Sequence, residues 1–99
     1  MTQSITSLLA ELEKAEALVR EAGFEDWLQF LHKHIEELRR SEYSGINELW
    51  GVFAPTCDWD DLAIRQMPQS LSEQLVYIGQ TVFEAVERAE NDLGLRETV

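Results

Sequence analysis

A chain of 99 residues, 44% hydrophobic and 9% aromatic, has material for one hydrophobic core, so a single folded domain over residues 1–99 is expected and the composition argues against disorder. Nineteen Asp and Glu against eight Lys and Arg leave a formal net charge of −11, a field that repels nucleic-acid backbones and anionic lipid headgroups. The lone Cys57 excludes an intrachain disulfide, and Met1–Ser7 lacks the basic and apolar stretches of a signal peptide, so a cytoplasmic chain that binds neither nucleic acid nor membrane is expected.

In chain order, Ile5, Leu8, Leu12, Ala15, Val19 and Ala22 recur at steps of three and four and predict a first helix, widened by Leu9 and Leu18. Ser4 is the expected N-cap and Gly23 the left-handed stop, with Glu16 and Arg20 one turn apart on the outer face. A second stripe of Phe24, Trp27, Leu28, Leu31, Ile35 and Leu38 has Glu25 and Asp26 at its start and Arg39 and Arg40 at its end, the polarity that the helix dipole favours. With only the Gly23 region between them, the two helices are expected to form an antiparallel hairpin.

The run from Ser44 to Phe53, with Ile46, Leu49, Trp50 and Phe53, predicts a short third helix capped by Ser44. Between Ala54 and Gln69, Pro55 and Pro68 bracket a stretch without sustained period, which reads as a long loop with a short extended piece at Leu62-Ala63-Ile64. Ser70 and Glu73 have capping-box spacing ahead of Leu71, Leu75, Ile78, Val82, Val86, Ala89 and Leu93, the longest predicted helix, ending at Gly94. The expected fold is all-α: a small bundle of three long helices and a short one, with the long loop preceding the last.

Chemistry-bearing residues are few. His32 and His34 are two apart, hence about 200° apart around a helix, and do not chelate one ion together. A His34–Cys57 dyad would need the fold to bring the two together. Asp58, Asp60 and Asp61 lack the spacing, central glycine and distal glutamate of a calcium loop. Trp59 among those acids offers an aromatic anchor ringed by charge, or else a cover for the end of the bundle. Trp27 and Trp50 lie on apolar stripes and are expected in the core; Phe30 falls off its stripe, which suits a second buried surface or a partially exposed aromatic, a dimer contact being one explanation. No phosphate loop, nucleophile elbow or basic groove occurs, so neither a catalytic site nor a metal or cofactor is expected.

Taken together, Trp27 to Arg40, the stretch Gly45-Ile46-Asn47-Glu48-Leu49-Trp50-Gly51-Val52-Phe53 and Asp60-Asp61-Leu62 resemble a small acidic helical bacterial family whose members look like immunity proteins encoded beside secreted toxins. The resemblance covers roughly residues 8 to 90. It departs at Ala54–Leu62, where the family pattern has a glycine-rich segment ending in Asn-Asp-Leu. It implies a non-catalytic inhibitor of a cognate toxin and brings no catalytic residues.

The expected partner is therefore a basic toxin or effector domain whose active site the chain occludes. Asp58, Asp60 and Asp61 would pair with cations, Trp59 would anchor, and Glu42 and Glu48 would support the rim. Two alternatives stand beside it. One is a nucleic-acid mimic, although Lys14, Arg20, Lys33, Arg39, Arg40 and Arg88 interrupt any continuous acidic path. The other is a homodimeric structural or regulatory subunit joined through Phe30.

Overall fold

A computed structural model describes residues 3–66 and 68–94, and all regular structure among them is helical. Five helices follow in order: α1 (Gln3–Ala22), α2 (Glu25–Arg39), α3 (Ile46–Phe53), α4 (Asp58–Ile64) and α5 (Gln69–Leu93). The apolar stripes supply the core, although Phe24, Trp27 and Leu28 at the start of the second stripe are only partly buried. Ile5, Leu8, Leu12, Ala15 and Val19 of α1 are fully buried, as are Leu31 of α2 and Leu75, Val82, Val86 and Ala89 of α5. At about 1.5 Å per residue α5 is about 37 Å long, against a longest molecular extent of 39 Å.

Helix α1 ends where Gly23 turns the chain at φ +82°, and Gly94 closes α5 in the left-handed conformation at φ +67°. The serine caps are corrected. Ser4 lies inside α1 and is buried, Gly45 rather than Ser44 occupies the N-cap of α3, and Pro68 precedes α5, leaving Ser70 within its first turn. The side chain that reaches Glu73 is Gln69, through Nε2 to Oε1 at 3.4 Å.

The expected loop from Ala54 to Gln69 is also corrected: it contains α4, and Leu62-Ala63-Ile64 is the last turn of that helix, not an extended piece. Met67 lies outside the described residues. Seven residues seldom hold a helix unaided, but α4 has local and tertiary support. Its first turn carries Asp58, Asp60 and Asp61 at the positive end of the dipole. The Asp60 carboxylate accepts the Thr56 N–H at 2.8 Å, which steadies Thr56 at φ +65°, a conformation that β-branched residues rarely adopt.

The tertiary support is Trp59. Its ring is fully buried, and its indole Nε1–H donates to the Leu75 carbonyl of α5 at 2.7 Å. Gly79 makes that contact possible, because a Cβ at position 79 would stand 2.5 Å from Trp59 Cδ1 and 2.6 Å from its Nε1. Helical Cβ atoms tilt toward the N-terminus, so a side chain at 79 would cover the carbonyl one turn back, which is Leu75.

Helix α5 packs against α1, α3 and α4, and α3 packs against α4, whereas α2 makes close backbone approach only to α1. Among the described residues α1 and α2 are linked by an Arg39–Glu13 ion pair at 2.9 Å and by a His32 Nδ1–Glu16 Oε2 hydrogen bond at 3.3 Å. The gap between α2 and α3–α4 is crossed by side chains, with the Trp27 ring edge-on to Trp59 at 5.2 Å.

One substitution made at two glycines is expected to change stability in opposite directions. Gly79→Ala should cost about 1–3 kcal/mol, because a well-packed indole must move, whereas Gly51→Ala, in α3 with nothing within 4 Å of the added methyl, should gain about 0.5–1 kcal/mol from lost unfolded-state freedom. Urea unfolding followed by circular dichroism measures both.

Candidate functional site

Helix α4 separates two surface grooves. The first, about 320 Å³, lies between α2, α3 and α4 and is lined by Asp26, Trp27, Phe30, Glu48, Val52 and Asp58. It follows from the packing described above, because α2 stays apart from α3 and α4 while Trp27 and Phe30 reach into the space between. The second, about 340 Å³, lies on the other flank, where Phe53, Pro55, Ile64, Val76 and Phe83 are bordered by Asp60 and Asp61. Ile64 on that side is 68% exposed and Tyr77 of α5 is 67% exposed.

The walls of the first groove are held in place. Trp27 stands perpendicular to Trp59 and nearly perpendicular to Phe30, whose ring centroid is 5.8 Å away. Phe30 in turn packs on the imidazole of His34 at 4.4 Å. His34 is 1% exposed; its Nδ1 bonds the Phe30 carbonyl at 3.0 Å, which makes Nδ1 the protonated nitrogen. Its Nε2 is buried without a hydrogen-bond partner among the described residues and lies 3.8 Å from Glu48 Oε1. Gly45 leaves room for this arrangement, since an added Cβ would lie 2.8 Å from Glu37 Oε1 and 3.1 Å from the His34 ring.

The six expected site residues are divided by the structure. Glu48 and Asp58 meet at the first groove, and Asp60 and Asp61 border the second. Trp59 is corrected: an anchor must be accessible, and this ring is fully enclosed between α4 and α5, with Trp27, Phe53 and Gly79 around it. Its bulk and its single N–H donor are both satisfied internally. Glu42 pairs with Arg40 at 3.2 Å, and that hydrogen bond and charge raise the Arg40 guanidinium pKa above its ordinary value. Asp60 is committed in part to Thr56. Trp27 and Trp50, expected in the core, are only partly buried; Trp50 leans on Phe83 with centroids 6.0 Å apart.

Asp26, Trp27, Phe30 and Val52 are groove residues that the sequence reading did not assign to a site. The available signal was the spacing of Asp26, Trp27 and Phe30 on one helical face, with Phe30 off the main stripe.

Charge compensation is uneven. Lys14, Arg20, Arg39 and Arg40 each pair with a glutamate of the α1–α2 region or of the turn after it. Among the described residues no Lys or Arg pairs with Asp26, Glu48, Asp58, Asp60 or Asp61. No group of three or more His, Cys, Asp or Glu among the described residues is arranged to hold a metal ion, and no helix among them is long and apolar enough to cross a membrane.

Compared with protein-family models, with curated proteins and with solved structures, the chain matches none. Its function is therefore read from geometry and charge.

With the carboxylates dispersed along two grooves, millimolar Mg²⁺ or Ca²⁺ is expected to raise the thermal midpoint by less than about 3 °C. A larger rise for either ion in a calorimetric melt would reveal a convergent oxygen site.

Proposed function

We propose that the chain is a non-catalytic protein-binding inhibitor of the immunity class, which places its α4 face against a basic toxin or effector domain and occludes that partner's active site. The observation that carries this reading is the set of carboxylates without Lys or Arg partners, Asp26, Glu48, Asp58 and Asp61, beside two apolar grooves. Exposed acids next to apolar surface complement a basic partner in both charge and hydrophobicity, and long-range attraction raises the encounter rate. A surface made acidic only for solubility has no need of aromatic and aliphatic walls between its charges.

In this reading α1 and α2 form an antiparallel hairpin that serves as scaffold. Support comes from the order of the contacts between them: Glu13 with Arg39 and Glu16 with His32, so that partners descend along α2 as they ascend along α1. Several of the acids there are paired with bases, whereas among the described residues no Lys or Arg pairs with the aspartates of α4.

The test is affinity capture from the cell of origin at low and moderate salt, followed by binding measurements on the purified partner. Asp58→Asn combined with Asp61→Asn removes two exposed charges and leaves the Asp60–Thr56 bond intact. The double variant should bind the captured partner at least about tenfold more weakly, chiefly through slower association. Capture unchanged by the double substitution, or a captured partner that is itself acidic, would remove this assignment.

A further inference from the structure

The groove between α2, α3 and α4 has a chemistry more specific than negative charge. Its volume of about 320 Å³ is at the lower end of the range of about 300–1,000 Å³ for small-molecule sites, a size suited to one side chain. Its walls are two aromatic rings and a valine, and Asp26, Glu48 and Asp58 stand around them on three different helices.

Those carboxylates do not converge as metal ligands. The cation that suits them has several donors fixed in a plane and a weakly hydrated face that can lie on an aromatic ring. A guanidinium meets both conditions, with five N–H donors in a rigid fork and a preference for stacking on Trp, Tyr or Phe. An ammonium is a compact and strongly hydrated charge that gains less from such walls.

A second observation points the same way. The buried Nε2 of His34, without a hydrogen-bond partner among the described residues, lies 3.8 Å from Glu48 Oε1, and the same imidazole packs against Phe30. With its proton on Nδ1, that imidazole offers Glu48 no donor, and the carboxylate, its side chain 54% exposed, has its acceptor sites open to a cation from outside.

We propose that this groove is an arginine pocket: it takes one arginine side chain of the basic partner, with the guanidinium against Trp27 and Phe30 and its N–H donors on Glu48 and Asp58, and with Asp26 adding charge at the rim. This rests on the protein-binding role proposed above. A second copy of the chain is a poor occupant, because its own −11 charge opposes the approach.

The test uses N-acetyl-arginine amide and N-acetyl-lysine amide as probes of the full chain, followed by NMR at the three indole N–H signals, which single Trp→Phe variants assign. The arginine amide should shift the Trp27 signal saturably while leaving that of Trp59 in place, and the lysine amide should bind about tenfold more weakly. Glu48→Gln and Asp58→Asn, both at exposed positions and so compatible with folding, should each weaken the arginine amide several-fold. Equal titration by the two amides, a response no larger at Trp27 than at Trp50, or indifference to both substitutions overturns the pocket. That failure is distinct from failure of the protein-binding role, which is decided by whether Asp58→Asn with Asp61→Asn alters capture of the macromolecular partner.

Discussion

The hydrogen bond from the Trp59 indole to the Leu75 carbonyl, made through the space left by Gly79, is the contact on which the rest of the surface depends. A seven-residue helix between two prolines has little stability of its own. Once the indole is seated, α4 acquires a fixed position on α5, its aspartates are held on two sides, and Trp27 has a perpendicular ring to lean on. Both grooves therefore owe a wall to a residue that neither exposes. The burial that makes Trp59 unavailable to a partner is also what makes its acidic neighbours available.

The distribution of charge divides the molecule into two parts. Along α1 and α2 the ion pairs are exposed and near in sequence or across one helix interface, the kind whose individual contribution to stability is small, about 0–1 kcal/mol. They tie up several of the charges there, although α1 and α2 each still carry four acids against two bases. Among the described residues the carboxylates on the flanks of α4 have no Lys or Arg paired with them, so part of the −11 total faces solvent there uncompensated by contact. Contact with a cationic surface would relieve some of that repulsion, so association and internal electrostatics favour the same change.

How much of this could be read from the residues depended on length and on distance along the chain. The stripes of α1, α2 and α5 run for four or more turns, so their buried residues follow from spacing alone, and Gly23 and Gly94 marked their ends. Ser44 and Ser70 were misleading because a serine near a helix start is available as a cap without being required. Helix α4 was hidden because Trp59, Leu62 and Ala63 give one turn of helical period within a stretch dominated by Pro55 and Pro68. The burial of Trp59 depends on Gly79, twenty positions later, and nothing local connects them. The first groove was unreadable for a related reason: it exists because the α2 backbone stays away from α3 and α4, a property of packing and not of any one segment.

The notch at Gly79 also determines where α4 can sit. From Gln69 to Leu93 there is no other glycine, so a slide of α4 by one turn along α5 would bring the indole against a residue that carries a Cβ, and its N–H would lose the exposed carbonyl that receives it. A smooth apolar helix would have allowed several dockings of similar energy. Here a single missing side chain admits one register and rejects its neighbours, so the position of the acidic face is specified by an absence of atoms on the opposite helix.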